Sequence, residues 1–175
     1  MTDGTRVEKP RVACCDRPAG CEKYESPLIR KVFQLHHMMM RVGDRLAGPH
    51  GLTSSRWMLL GCLGKSDEPR TIAEISEEIL LSPQNVSRMV VSMEADGLVV
   101  RNTIPGSGRS VYVGLTETGW RAYGLTKGLA ERFLTPFLDG FSESRIERLD
   151  RDLKKLMENT QRFEQALIAE AQEKI

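Results

Sequence analysis

Gln84, Asn85, Ser87 and Arg88 stand close together behind Ser82-Pro83. The Gln and Asn amides each offer a donor and an acceptor, the pattern that bonds an adenine edge twice. An Arg bonds guanine in the same paired way, and a Ser reaches a phosphate or a base. No acidic residue lies between Ser82 and Ser92, so a phosphate brought there meets no local repulsion. Further on, Arg109 follows Pro105-Gly106-Ser107-Gly108, a small turn from which a guanidinium could enter a narrow minor groove. Ser82, Arg101 and Ser107 complete the candidate DNA contacts. Such a set reads DNA only if the chain presents it on one outer surface.

The elements that would do so are legible from Thr71 to Leu115. Thr71 with Glu74 is a capping box, and Ile72, Ile75 and Ile79 give the helix it opens one apolar face. Ser82-Pro83 is a second start: a hydroxyl to cap free N–H groups, then a ring whose φ suits the first helical turn. That helix runs to about Ala95, burying Val86, Met89, Val90 and Met93, with Gly97 as a left-handed stop. Leu98 to Thr103 and Arg109 to Leu115 then alternate as strands, joined by the Pro-Gly-Ser-Gly turn. Two helices about a tight turn followed by a two-stranded ribbon make a winged helix-turn-helix, and the fold class is mainly α (α+β).

These residues resemble the MarR family of bacterial transcriptional regulators. The likeness rests on Leu81-Ser82-Pro83-Gln84-Asn85-Val86-Ser87-Arg88, the exit Glu94-Ala95-Asp96-Gly97-Leu98-Val99-Val100-Arg101, the wing, and Leu115-Thr116-Glu117-Thr118-Gly119. Upstream, Leu52 to Leu60 is similar to that family's second helix, and the likeness covers roughly residues 28–167. Two positions depart from it. Ser107 stands where the family commonly has an Asp that orients the wing arginine. Leu80 stands in the inter-helix turn where Gly is frequent, and a leucine serves there if the turn keeps φ negative.

Around this segment the chain divides into an N-terminal arm (1–26), a dimerisation helix (27–50), the winged segment (52–115) and long helices completing the dimerisation domain (116–175). Pro27 opens the first helix, whose stripe of Leu28, Val32, Leu35, Met39, Val42 and Leu46 lies beside a second of Ile29, Phe33, His36 and Met40. A face that wide needs two partners. Thr53 or Ser54 caps the next helix, in which Trp57, Leu60 and Leu63 face a core. Thr116 caps a helix that Pro136 kinks or ends. Ser142 starts the last helix, where Ile146, Leu149, Leu153, Leu156, Thr160, Phe163 and Leu167 keep a 3-4 rhythm. Such a seam meets another helix, and little within one small domain is left to cover it, so a homodimer is expected. The resemblance implies the same: two-fold dimers with two winged lobes on pseudo-palindromic double-stranded DNA.

The resemblance further implies a small-molecule effector held between the dimerisation helices and the winged lobe, releasing a repressor from its operator. Phe33, His36, His37, Met40, Arg41, Arg56, Trp57 and Met58 are the candidate lining. Aromatic surface, soft sulfur and cations suit an aromatic or anionic ligand. The plainer reading makes Trp57 and the methionines core and His36 a satisfied core histidine.

A second reading keeps the fold and changes the signal. Three of the four cysteines, Cys14, Cys15 and Cys21, fall in the N-terminal arm. They are a thiol switch, a metal or iron–sulfur site, or unremarkable thiols. The spacing matches no standard zinc or ferredoxin pattern, so no cofactor is expected. Cys62, inside an apolar helix, reads as structural.

Charge argues the other way. The net charge of the 175 residues is +1, and in 71–115 three arginines stand against five acids. That disfavours sequence-independent binding, which rests on phosphate neutralisation. It is the best support for a third reading, a winged module for protein–protein contact. No Ser-His-Asp or Cys-His set is spaced for catalysis, so an enzyme is not expected. No apolar run approaches the ~20 residues needed to span a membrane, and the N-terminus lacks the apolar core of a signal peptide. These point to a cytoplasmic protein.

Overall fold

A computed structural model describes residues 26–103 and 110–173. Among them the order is α1 (Pro27–Ala47), a 3₁₀ turn (Gly48–His50), α2 (Ser54–Gly64), β1 (Arg70–Thr71), α3 (Ile72–Ile79), α4 (Pro83–Ala95), β2 (Val99–Thr103), β3 (Val111–Leu115), α5 (Glu117–Phe137) and α6 (Glu143–Gln172). The first part of α1, to Met38, clusters apart from Met39 onward. Its side chains are exposed, and among the large apolar ones Phe33 is the most so.

The second unit is built around α2, which is apolar on most of its circumference and touches α3, α5 and β3. A helix of that kind belongs in the middle. Leu59 and Leu60 are fully buried, with Ile75 from α3, Val86, Val90 and Met93 from α4, and Val99 and Val113 from the strands. Thr53 caps α2 by accepting from the Arg56 N–H at 3.3 Å. The end of α1 lies across this start. The Ser54 N–H donates to Asp44 Oδ1 at 2.7 Å and its hydroxyl to the Met40 carbonyl at 2.6 Å. Gly43 permits the approach, since a Cβ there would run into Ser54 Oγ.

Each remaining start and stop is a short-range bond. The capping box of α3 is complete: the Glu74 N–H donates to Thr71 Oγ1, and the Thr71 N–H donates to Glu74 Oε2 at 2.7 Å. That backbone donor holds the Glu74 carboxyl below its ordinary range. Ser82 Oγ accepts from the Asn85 N–H at 3.3 Å, with Pro83 in the first helical position. Helix α4 closes in a Schellman motif, the Leu98 N–H on the Met93 carbonyl and the Gly97 N–H on that of Glu94, both at 2.9 Å. Gly97 takes φ +70°.

Two features differ from the sequence expectations. The sheet has a third strand: β1 pairs with β3, and β3 with β2, in the antiparallel order β1-β3-β2. Two residues are too few to show an alternating pattern. Pro136 ends α5, one of the two outcomes expected of it: it sits in the last turn, and the helix stops one residue later at Phe137. Leu80 does not keep φ negative; it lies at φ 54°, ψ 39°, in the left-handed region. The turn needs that geometry to bring Leu81 back to α3, where the Ser76 hydroxyl donates to the Leu81 carbonyl.

A leucine in that region costs about 1–2 kcal/mol. Its side chain is 61% exposed and gains little burial in return. Leu80→Gly is therefore expected to stabilise the protein by up to about 1 kcal/mol after the entropy of a flexible glycine is subtracted. Urea unfolding checks this: an unchanged or lower midpoint would show that Leu80 earns its place by packing.

Helix α6 has no buried residue along its 30 positions. Leu149, Leu153, Leu156, Phe163 and Leu167 are all exposed at the spacing of the seam.

Candidate nucleic-acid interface and cavity

The outward surface of α4 carries Gln84, Asn85, Ser87 and Arg88, all exposed, while Val86 and Val90 turn into the core. The alternation is that of one helix with a buried stripe and a polar back. Arg88 makes no ion pair among the described residues. The Ser82 hydroxyl is engaged as a cap but stays exposed. Ser107 and Arg109 lie outside the described residues.

Both the frame and one candidate contact are set by ion pairs the sequence does not disclose. Arg56 Nη2 lies 2.7 Å from Asp96 Oδ2 and donates to Ser92 Oγ at 2.7 Å, fastening α2 to the last turn of α4. Arg101, on β2, donates from Nε to Glu94 Oε2 at 2.7 Å, with Nη2 at 2.5 Å from the same oxygen. The Arg101 hydrogen bond holds the Glu94 carboxyl low. The Arg101 charge is thus already partly neutralised. No local period links a residue on a helix to one on the next strand, so the pairing carries no sequence signal.

A cavity of about 510 Å³ opens within the second unit, within the usual size range for small-ligand sites. Three of the expected residues line it: Met40, Trp57 and Met58. Arg41 is exposed and does not. Arg56 is turned away by Asp96 and Ser92. Phe33, His36 and His37 belong to the first unit, all exposed, with the two histidine rings edge to face at 5.5 Å.

The lining that sequence reasoning misses comes chiefly from α5: Tyr123, Thr126, Lys127 and Phe133, with Lys65 and Glu78 from the α2–α3 region. Gly64 admits the Tyr123 ring, which a Cβ there would strike. Lys127 Nζ sits 5.1 Å from the centre of that ring. Only the apolar spacing of α5 could have hinted at this wall. Cys62 also lines it, buried, and desolvation pushes its thiol pKa up, which suits a structural cysteine. Among the described residues no three His, Cys, Asp or Glu side chains gather as a metal site. Cys14, Cys15 and Cys21 lie outside them.

Two helices joined by a tight turn, the second with a free polar face, and a three-stranded wing behind them define a winged helix-turn-helix protein, the class that lays its second helix in the major groove. The sequence model of the MarR family matches residues 50–110. Over those residues the chain is similar to the MarR family of transcriptional regulators.

It is 23% identical over 169 residues to the transcriptional activatory protein BadR of Rhodopseudomonas palustris, covering 94% of this chain and 95% of that one. The S. aureus MepR–DNA complex superposes with a TM-score of 0.70 at 18% identity, over 78% of this chain and 99% of MepR. CouR from Rhodococcus jostii RHA1, bound to p-coumaroyl-CoA, gives 0.66 at 18% identity, over 74% and 90%. At those identities the superpositions bear on the fold. Among the described residues no helix is long and apolar enough to cross a membrane.

Proposed function

We propose that the protein is a cytoplasmic homodimer that holds a pseudo-palindromic operator through α4 and the wing and is released from it by a small aromatic anion. The observation that carries the DNA reading is the α4 surface. Gln84, Asn85, Ser87 and Arg88 are exposed together, with no acid among them. Asp96, at the end of the helix, is paired with Arg56, and Glu94 with Arg101. The acids that make the segment net negative are thereby partly neutralised or carried on α3. Arg88 is the residue best placed for a guanine, and Gln84 and Asn85 for adenines.

The exposed seam of α6 supports the dimer. A two-fold axis would set the two α4 helices on half-sites about 34 Å apart. The cavity supports an effector. Trp57, Tyr123 and Phe133 offer aromatic surface, and Lys65 and Lys127 offer cations. CouR, whose ligand carries an aromatic ring, has the same fold. Release would be a population shift, requiring that the ligand bind the released spacing of the lobes better than the operator-bound one. We propose repression as the mode of control; BadR, by its name, activates.

Binding to DNA from upstream of the gene, followed by fluorescence anisotropy at two salt concentrations, tests this. The wild type should bind specifically and lose affinity with salt. Arg88→Ala should weaken specific binding by about 1–3 kcal/mol, a factor of roughly 5 to 160, with its preference relaxed at one base pair. Equal binding by the variant would remove α4 as the reader, and no specific binding by an intact wild-type dimer would leave the protein–protein module. A reporter driven by the same promoter gives the sign of control.

A further inference from the structure

One ion pair stands between the cavity and the reading helix, and its role as a switch rests on the cavity being an anionic effector site. Glu78 lines that cavity and also, on its other side, a second one bordered by Glu68, Arg70, Glu74 and Glu77. Its carboxylate is held by the Arg70 guanidinium, whose Nη1 also donates toward Cys62 Sγ at 3.7 Å. Glu78 is therefore the partition between an apolar space and a charged one, and Arg70 grips it from the second side. Each half belongs to a part that positions the interface. Arg70 is in β1 and pairs with Val113 of the wing. Glu78 is in the last turn of α3, just before the left-handed Leu80 and the Ser82 cap of α4.

We propose that this ion pair is the element the effector opens, with an aromatic carboxylate taking the Arg70 guanidinium from Glu78. The charges favour that exchange. Lys65 and Lys127 line the cavity against one carboxylate, Glu78, and Arg70 stands behind that wall on Glu78 and Cys62, so an entering anion is drawn to it. The ligand would sit against Trp57, Tyr123 and Phe133 with its carboxylate at Cys62. Arg70 and Glu78 are 28% and 38% exposed, so exchanging one partner for another requires little fresh desolvation. Once released, Glu78 faces Glu68, Glu74 and Glu77 and is repelled. Glu78, already exposed, swings away by a change of rotamer, and the last turn of α3 loses its tie to β1, which frees the turn that aims α4. The ligand thus has the differential contact that a shift of state requires.

The test compares wild type, Glu78→Gln and Arg70→Gln, each first shown to be folded by thermal melting. Benzoate binding is followed by calorimetry and operator binding by anisotropy. Removing the competing carboxylate should tighten benzoate about tenfold and weaken ligand-free operator binding. Removing the guanidinium should weaken benzoate about tenfold. If Arg70→Gln fails to fold, Arg70→Lys, which keeps the charge but not the paired donors, should show the same direction. Equal benzoate affinity in all folded variants overturns the switch and leaves the cavity as the effector site. No saturable benzoate binding in any of them overturns both.

Discussion

A chain carrying Leu153→Glu together with Leu156→Glu is expected to sediment as a monomer and to lose roughly a hundredfold or more in operator affinity, with its winged lobe still folded. Helix α6 would be about 45 Å long at 1.5 Å per residue, and none of its residues is buried. Leu153 and Leu156 are 42% and 40% exposed at the middle of a stripe that continues to Leu149, Phe163 and Leu167. A contiguous apolar strip of that extent marks an interaction surface. Burying one such side chain is worth about 1.5–3 kcal/mol, so two from each of two copies contribute several kcal/mol. Four carboxylates in their place would also repel. The lobe is unaffected because its core, Leu59, Leu60, Ile75 and Val90 among others, draws nothing from α6. Operator affinity falls because two linked readers gain about 10²–10⁴ over one through effective concentration. Sedimentation velocity and anisotropy on the same samples check both halves. A variant that remains dimeric would mean that α6 faces something else.

Gly119→Ala should be the most damaging glycine-to-alanine change among the described residues, lowering stability by about 3 kcal/mol, the upper end for overpacking. Thr116 caps α5 by accepting from the Gly119 N–H at 3.0 Å while its hydroxyl donates to the Gly97 carbonyl at 2.6 Å. The start of α5 is thereby drawn onto the chain leaving α4. A Cβ on residue 119 would collide with the Leu98 carbonyl, backbone against backbone. No rotamer relieves that; α5 or β2 must shift. Gly124, further along the same helix, has open space about it. Gly124→Ala should stabilise by about 0.5–1 kcal/mol, because alanine is the better helix former. Denaturant midpoints for the pair decide the matter. If Gly119→Ala is as benign as Gly124→Ala, α5 approaches β2 less closely than that collision requires.

The contrast between these glycines also marks what a sequence can disclose. Helix starts at Thr53, Thr71, Ser82 and Thr116 are readable because each is a side chain bonding a backbone group three residues away. The α4 surface is readable because its apolar residues repeat at helical spacing. Even so, Ser142 opens α6 without capping it, its hydroxyl lying against that of Ser144. Long-range geometry is not readable. Nothing near Arg56 announces Asp96, and nothing near Arg101 announces Glu94. Sequence alone therefore assigns Arg56 to the cavity lining, whereas it serves as a fastener. The α5 wall of the cavity escapes for the same reason: it is made by the crossing of α2 and α5, seated where Gly64 admits Tyr123.

The Arg56 fastening also limits what a ligand can move. One side of α2, at Trp57, Met58 and Cys62, borders the cavity, and the same helix grips α4 through Arg56, Asp96 and Ser92. With its far end gripped, α4 cannot swivel independently of α2. A molecule pressing on α2 would turn both helices as one stiff lever. A small tilt at the ligand would then become a larger displacement at the tip that carries Gln84 and Asn85, and an effector's bulk would count through how much better it fits the tilted state than the upright one.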